Sequence, residues 1–270
     1  AISRKFGLGV KVAVIDTGID LSHPALSSNL APSSEWKDFV DNDSYPMDVS
    51  GGNGYGHGTA VSSIILQVAP KATILPIRVL NASGLGDTDD VVLAIDWAIQ
   101  KGAHIINISL GSQEWDDALY AMAGYANSRG ILIVASSGNY GGNETMTYPG
   151  GYSWTGGNVH GKTLGIGSVT SNNTLSSFTS YGYSLYGVAP GQGIVAAYPG
   201  NQSVSVTGTS FAAPLFTGAG ALALSEMSLA NQGTLHTYIW NSLNHTLKDS
   251  LGILGARLLH QHGPIQSGGG

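Results

Sequence analysis

The chain has 270 residues and a formal net charge of −6; only 10% of its residues are charged, 39 are glycine and none is cysteine. This length is ample for a buried core, and the absence of cysteine excludes disulfides and cysteine-based zinc sites. No cluster of Lys and Arg points to nucleic acid, and no apolar run has the length of a membrane span. We therefore expect neither a nucleic-acid partner nor a membrane partner.

Five short apolar runs, taken in chain order, predict buried strands because each is rich in β-branched residues. They lie at residues 10–16, 74–80, 104–110, 131–137 and 164–169. Between them, residues 87–102 and 115–130 show helical periodicity, with acidic residues near the start and a glycine at the end. The alternation of strands and helices predicts an α/β fold with a parallel sheet covered on both faces.

The composition shows no break and no internal repeat, which indicates one domain over residues 1–266. Residues 267–270 form a Gly-rich tail with the composition of a linker. In a parallel sheet of this kind, functional residues gather at the carboxyl ends of the strands. Polar residues at those ends are therefore the first candidates for a site.

Four polar residues occupy such positions. Asp16 closes the first apolar run and Asn139 follows the fourth, while His57 and Ser210 each stand before a helical pattern. Taken alone, Asp16 and Asn139 suit turns, His57 suits a cap or a packed polar residue, and Ser210 suits a helix N-cap. Each of these ordinary interpretations stays open for a residue considered by itself.

Taken together, the four residues supply the parts of an acyl-transfer site. A serine hydroxyl becomes nucleophilic only when an imidazole takes its proton and a carboxylate orients that imidazole. The amide of Asn139 can donate to a developing oxyanion. A helix that starts at Ser210 would also point backbone N–H groups toward the reacting carbonyl. The set therefore predicts nucleophilic catalysis by Ser210.

Five short motifs resemble those of subtilisin-like serine proteases (the subtilase family), whose triad has the order Asp, His, Ser. They are VAVIDTGID at residues 12–20, HGTAVSSI at 57–64, SLGS at 109–112, SSGN at 136–139 and GTSFAAP at 208–214. The resemblance covers roughly residues 10–227. It implies a subtilisin-like α/β fold, whose central, mostly parallel sheet carries helices on both faces, and a serine endopeptidase that works through an acyl-enzyme.

The same resemblance implies a role for each of the four residues. Asp16 orients the imidazole, His57 acts as general base and then general acid, and Ser210 is the nucleophile. Asn139 and the backbone N–H of Ser210 stabilise the oxyanion. Two positions depart from the family's usual motifs, since Ala60 replaces a His and Phe211 replaces a Met. Neither departure lies on the proton path, although Phe211 places a bulkier side chain beside the nucleophile.

Substrate binding is also implied by the resemblance. An extended peptide adds as a strand beside Ser109, Leu110 and Gly111. The first specificity pocket is walled by residues 110–112, by residues 135–138, which include Ser136 and Gly138, and by residues 147–149. Most of these residues are small or apolar, so we expect a preference for uncharged, hydrophobic residues before the scissile bond. The insertion-like stretch at residues 152–162 and the nearby Glu144 are expected to modify that preference.

The loop KDFVDNDSYP places Asp38, Asp41 and Asp43 together and resembles a calcium loop of thermitase-like members. Hard oxygen ligands at this spacing suit Ca²⁺, although a solvated acidic turn explains the pattern equally well. The short segment at residues 64–70 indicates that a second family calcium site is missing. We expect no cofactor for the chemistry itself and a structural calcium at most.

Two rival functions accompany the endopeptidase. A peptide ligase or macrocyclase on the same fold would resolve the acyl-enzyme with an amine instead of water. An inactive binding module would be expected to lack a triad residue, whereas all four positions are intact here. By resemblance alone, we expect protein or peptide substrates, a propeptide inhibitor, and a secreted or extracytoplasmic location.

Overall fold

A computed structural model describes residues 5–153 and 163–226 of the chain. Its centre is a seven-stranded sheet in which every neighbouring pair of strands is parallel. In spatial order the strands are β2 (Lys37–Asp38), β3 (Thr73–Arg78), β1 (Lys11–Asp16), β4 (Ile105–Ile108), β5 (Leu132–Ser136), β7 (Leu164–Val169) and β9 (Leu185–Pro190). Two small pairs complete the strands: β6 (Gly142–Asn143) with β8 (Ser180–Tyr181), and β10 (Ile194–Tyr198) with β11 (Gln202–Val206).

The strand order reverses its direction of growth at β1, which pairs with β3 on one side and β4 on the other. In doubly wound sheets, ligands bind in the crevice that such a reversal opens at the carboxyl ends of the strands. Asp16 is the last residue of β1 and lies at this crevice. The topology alone therefore brings the first predicted site residue to the expected binding edge.

Helices cover both faces of the sheet. On one face, α1 (His57–Val68) packs against α4 (Thr209–Glu226), and on the other lie α2 (Thr88–Gln100) and α3 (Asp117–Ser128). The strands supply both cores by alternation: Val12 and Val14 of β1 join the first core, and Ala13 and Ile15 join the second. Burial on both faces explains why the strand sequences are nearly all apolar rather than alternating.

The predicted elements match the described ones closely. All five predicted strands and both predicted helices are present, with ends displaced by no more than two residues. The prediction did not include β9 or the antiparallel hairpin of β10 and β11. No helix in the described segments is long and apolar enough to cross a membrane. The predicted tail at residues 267–270 and most of the stretch at 152–162 lie outside the described residues.

Candidate active site

Asp16 and His57 form a direct side-chain contact at the carboxyl edge of the sheet. The Nδ1 atom of His57 lies 2.7 Å from Oδ1 of Asp16. Asp16 is 1% exposed at the end of β1, and His57 is the first residue of α1. The backbone N–H of Thr17 also donates to Oδ1 of Asp16, at 2.7 Å, and so fixes the carboxylate. The arrangement commits Nδ1 of the imidazole to Asp16 and leaves Nε2 as the other ring nitrogen.

The glycine after His57 makes this contact sterically allowed. A Cβ atom at Gly58 would lie 2.0 Å from the carbonyl oxygen of Gly18 and 3.1 Å from Cβ of Asp16. Any other residue would push the start of α1 away from the end of β1. Gly58 instead donates its backbone N–H to Oγ1 of Thr17, at 3.0 Å. The requirement for glycine in the HGT motif thus follows from close backbone approach.

Electrostatics at this pair favour a protonated imidazole. Burial by itself lowers the pKa of His57, but the charge of Asp16 and its hydrogen bond raise the pKa, and the charge of Asp48 raises it further. The net pKa is above the ordinary value for histidine. A site that stabilises imidazolium in this way stabilises the species that forms when histidine removes a proton from a nucleophile.

Ser210 is the second residue of α4, so the helix begins one residue earlier than the sequence predicted. Its carbonyl oxygen accepts a hydrogen bond from Oγ of Ser109, at 2.8 Å. The next residue, Phe211, places its ring 5.2 Å from the imidazole of His57. Within the described residues, no hydrogen bond joins the Ser210 hydroxyl to His57. The structure therefore places the start of α4 beside His57 through the Phe211 ring.

Asn139 is anchored to the start of the same helix. Its Oδ1 atom accepts hydrogen bonds from the backbone N–H of Thr209, at 2.9 Å, and from the Thr209 hydroxyl, at 3.0 Å. The Thr209 hydroxyl in turn accepts from the backbone N–H of Gly138, at 3.2 Å. Because both contacts require a carbonyl oxygen on Asn139, the amide nitrogen is left as the donor that faces away from Thr209.

A buried chain of hydrogen bonds supports Ser210 from behind. Asn107 of β4 donates from Nδ2 to Oγ of Ser109, at 2.9 Å, and accepts from Thr217 of α4, at 2.7 Å. Ser109 then donates to the Ser210 carbonyl. Ser109 was predicted from the sequence to bind substrate, and the structure shows that its hydroxyl donates to the helix that carries Ser210. Any contact of Ser109 with a peptide therefore uses its backbone.

A cleft of about 450 Å³ extends from His57 along the predicted substrate-binding segment. One wall is formed by Ser109, Leu110 and Gly111, and the opposite wall is formed by residues 83–86. Leu119 and Tyr148 line its far end. The cleft thus lies between two backbone segments. Residues 109–111 were predicted from the sequence to bind substrate, whereas residues 83–86 were not.

Thr147 occupies the space between two predicted pocket segments. A Cβ atom at Gly111 would lie 2.6 Å from Oγ1 of Thr147, and a Cβ atom at Gly138 would lie 3.0 Å from its Cγ2. Thr147 is 4% exposed, and Ser136 at the end of β5 is also 4% exposed. The predicted residues Gly111 and Gly138 therefore both lie against a buried threonine side chain.

The three aspartates of the predicted calcium loop do not point at one common position. Arg78 donates from Nη1 to Oδ2 of Asp38, at 2.8 Å, and also contacts Oδ2 of Asp41. The other Asp38 oxygen accepts from the N–H groups of Val40 and Asp41, and Asp43 accepts from the N–H of Tyr45. Within the described residues, no group of three acidic or histidine side chains could hold a metal.

Calcium bound by all three carboxylates does not fit this arrangement, because Arg78 already binds one oxygen of Asp38 and one oxygen of Asp41. Asp38 is fully buried and Arg78 is 4% exposed. Burial lowers the pKa of Arg78, but its bonds with Asp38 and Asp41 raise the pKa above the ordinary value, so the guanidinium stays charged. The structural calcium remains a prediction that requires a binding measurement.

Three residues near the site were missed in the sequence. Asp48 contacts the residues that flank Asp16 and His57, Thr209 anchors Asn139, and Asn107 supports Ser109. Asn107 had a visible signal, since it is the one polar residue in the strand IINI. Asp48 had none, because nothing in its local sequence shows that it meets Thr17, which lies 31 residues earlier in the chain.

Comparison with known proteins agrees with this geometry. A parallel α/β sheet with an Asp–His pair at a strand end and a serine at a helix start, in that chain order, defines the subtilisin class of serine peptidase. The sequence model described as "Subtilase family" matches residues 7–258. The chain belongs to the subtilase family and is a subtilisin-like serine endopeptidase.

Individual relatives support the same assignment. The chain is 37% identical to thermitase from Thermoactinomyces vulgaris, over 83% of this chain and 78% of that protein. It is 36% identical to subtilisin Savinase from Lederbergia lenta, over 89% of this chain and 84% of that protein. Among solved structures, a cold-adapted subtilisin-like serine proteinase matches with a TM-score of 0.76 and 31% identity, covering 90% of this chain and 83% of that chain.

Proposed function

We propose that Asp16, His57 and Ser210 form the catalytic triad of this endopeptidase and that it hydrolyses peptide bonds through an acyl-enzyme. The observation that carries the proposal is the 2.7 Å contact between Asp16 and His57, with α4 packed beside the same imidazole. A carboxylate on Nδ1 fixes the tautomer in which Nε2 can accept a proton. Nε2 is then the atom that faces the substrate side of the pair.

The proposed reaction begins when the Ser210 hydroxyl oxygen attacks the scissile carbonyl carbon and His57 takes its proton. The tetrahedral intermediate carries its negative charge on the former carbonyl oxygen, which accepts hydrogen bonds from Nδ2 of Asn139 and the Ser210 backbone N–H. His57 then donates its proton to the leaving amine as the C–N bond breaks. Water then loses a proton to His57 and attacks the ester carbon. The bond from that carbon to the Ser210 oxygen breaks, His57 returns the proton to this oxygen, and the acid is released, while Asp16 keeps its charge throughout.

The peptide is proposed to lie extended in the 450 Å³ cleft. Its backbone would pair with Ser109, Leu110 and Gly111 on one side and could reach residues 83–86 on the other, since both segments line the cleft. Main-chain pairing of this kind provides affinity that is independent of side chains. Sequence selectivity then depends on the pockets between these segments.

We propose a preference for uncharged residues before the scissile bond, limited in size by Thr147. The pocket segments contribute Leu110, Gly111, Ser136 and Gly138, none of which carries a charge. The methyl and hydroxyl of Thr147 fill space beside both glycines, within contact distance of an added Cβ. A small apolar or hydroxyl side chain therefore suits the pocket better than a large aromatic one.

The decisive experiment is covalent labelling with a fluorophosphonate followed by peptide-level mass analysis. We expect one adduct, on Ser210, in the parent and none in Ser210→Ala. The matched control is Ser205→Ala, which removes an exposed hydroxyl from β11 only five residues away and should label like the parent. Absence of an adduct on a folded parent would contradict the proposal and favour an inactive binding module.

The ligase alternative is tested with the same protein and a different readout. An acyl-enzyme that meets an added peptide amine gives a ligated product, whereas one that meets water gives two fragments. Product masses at millimolar amine therefore distinguish the two fates of the acyl group. We expect fragments, because the cleft beside His57 opens to solvent and His57 itself is 23% exposed.

Three further features are proposed by analogy with the family. Secretion or an extracytoplasmic location, inhibition by a propeptide, and a structural calcium all belong to this group. Protein or peptide substrates are the partners that a peptidase cleft requires. Each of these proposals requires its own measurement.

A further inference from the structure

Asp48 is a second buried carboxylate at the reaction site, and it lies outside all five motifs. It is 7% exposed and uses both carboxylate oxygens. Oδ1 accepts from the Thr17 hydroxyl, at 3.1 Å, and from the Gly56 N–H, at 3.0 Å. Oδ2 accepts from the Thr59 hydroxyl, at 2.6 Å, and from the Thr59 N–H, at 3.3 Å. A buried carboxylate that accepts four hydrogen bonds is part of the packed structure and is not a solvated surface charge.

The partners of Asp48 flank the proposed catalytic pair on both sides. Thr17 directly follows Asp16 and fixes its carboxylate through the backbone N–H. Gly56 precedes His57, and Thr59 follows it by two residues. Asp48 therefore joins the loop after β1 to the first turn of α1, which are the two segments that must stay in register for Asp16 to reach His57.

The position of Asp48 also suits the charge that develops during catalysis. Two of its donors are N–H groups at the N-terminus of α1, where a helix stabilises an anion. The imidazole of His57 is thus faced by two carboxylates, Asp16 from the end of β1 and Asp48 from the loop before α1. Asp20 also lies near α1, but its carboxylate is directed to Ser22 and Gly200. Tyr55 and Tyr198 form a ring pair beside this turn, and burial raises the pKa of Tyr55.

We propose that Asp48 is a positioning residue for the proposed catalytic pair, which holds Asp16 and His57 in register and adds negative charge behind the imidazole. This inference rests on the proposed function, because it assigns Asp48 a role through His57. Burial raises the pKa of Asp48 and the charge of Asp16 raises it further, while its bonds with Thr59 and Gly56 oppose that increase. Those donors stabilise the ionised form of Asp48.

The first test compares Asp48→Asn with the parent by the pH profile of kcat/KM. The asparagine preserves shape but removes the charge and places an amide N–H₂ where a carboxylate accepted two bonds. We expect kcat to fall roughly 10-fold or more with KM little changed, because misalignment of a reacting group lowers the rate itself. We also expect the acid limb of the kcat/KM profile, which reports the pKa of His57, to move to lower pH by roughly half a unit, because a negative charge near the imidazole has been lost. Asp48→Glu retains the charge and should keep the parent's acid limb while losing rate.

The matched control is Asp89→Asn, which makes the same charge change at an exposed position on α2. Rates are expressed per site titrated with fluorophosphonate, so that partial misfolding does not appear as lost catalysis. The pKa of His57 is measured independently by NMR in a Ser210→Ala background, which requires no activity. If the parent labels at Ser210 but Asp48→Asn leaves kcat, the acid limb and the His57 pKa at parental values, the role of Asp48 is refuted. If the parent does not label, the proposed function fails instead.

Discussion

Replacement of Arg78 by methionine is predicted to destabilise the fold strongly without involving the reaction site directly. Arg78 is 4% exposed and its partner Asp38 is fully buried. The substitution leaves Oδ2 of Asp38 without the guanidinium that it now binds at 2.8 Å, and only two backbone N–H groups on Oδ1 remain. Removing one partner of a buried ion pair costs about 3–5 kcal/mol, because the other charge stays buried.

The assay is thermal unfolding in a Ser210→Ala background, which prevents self-digestion. At roughly 2–3 °C per kcal/mol for a chain of this size, the expected decrease in Tm is about 6–15 °C. Asp41→Asn is the internal control, because Asp41 is 60% exposed and an exposed partner contributes at most about 1 kcal/mol. The double variant Asp38→Asn with Arg78→Met should recover part of the loss. A loss for Arg78→Met no larger than that for Asp41→Asn would refute the reasoning.

The same unfolding measurements address the predicted calcium site. If Arg78 is the only cation that Asp38 and Asp41 need, saturating calcium and a chelator should give the same Tm for the parent. A ligand that binds only the folded state raises Tm in proportion to its occupancy. A clear calcium-dependent increase in the parent would therefore support the sequence-based calcium prediction over the role assigned to Arg78.

Two further substitutions test the oxyanion donor and the pocket. Asn139→Ala should lower kcat by about 10²–10³-fold with little change in KM, a range known from subtilisin-type enzymes for loss of one oxyanion donor. Steady-state kinetics on a peptide anilide measures both constants. A change confined to KM would contradict the role assigned to Asn139. Thr147→Gly should favour substrates with a large apolar residue before the scissile bond: the ratio of their kcat/KM to that of the matching alanine substrate should rise by about 10-fold or more. Paired substrates that differ only at that residue measure this ratio. An unchanged ratio would show that Thr147 does not limit the pocket.

The sequence predicted the fold well because the strand signal is strong where both faces are buried. Ile133 and Val134 of β5, for example, face opposite cores, so the whole run is apolar and stands out. The hairpin of β10 and β11 gave a weaker signal, because its strands are partly exposed and β11 mixes serine with valine. A half-exposed short hairpin lacks the continuous apolar run on which the other predictions rested.

The residues of the site also differ in whether their local sequence or their distant partners define them. Asp16 and His57 are recognisable because each lies in a motif whose local geometry, such as the close approach at Gly58, demands particular residues. Asp48 and Arg78 are defined by partners up to 40 residues away in sequence. Nothing in their local sequence shows which donors or acceptors they will meet. Single-sequence patterns therefore predicted the proposed reacting groups but could not find the charges that lie around them.

The scarcity of charge in this chain makes those supporting charges informative. In the sheet register, Arg78 of β3 stands directly between Asp38 of β2 and Asp16 of β1, so three of the buried charges lie in one row at the carboxyl ends of neighbouring strands. Burial of a charge is tolerated only where donors or an opposite charge compensate it, and loops and helix starts provide such partners at this edge. Arg78 bonds to Asp38 and leaves Asp16 to His57. The row thus separates stability from the proposed chemistry: changes at Arg78 should appear first in Tm, and changes at Asp16 should appear first in kcat.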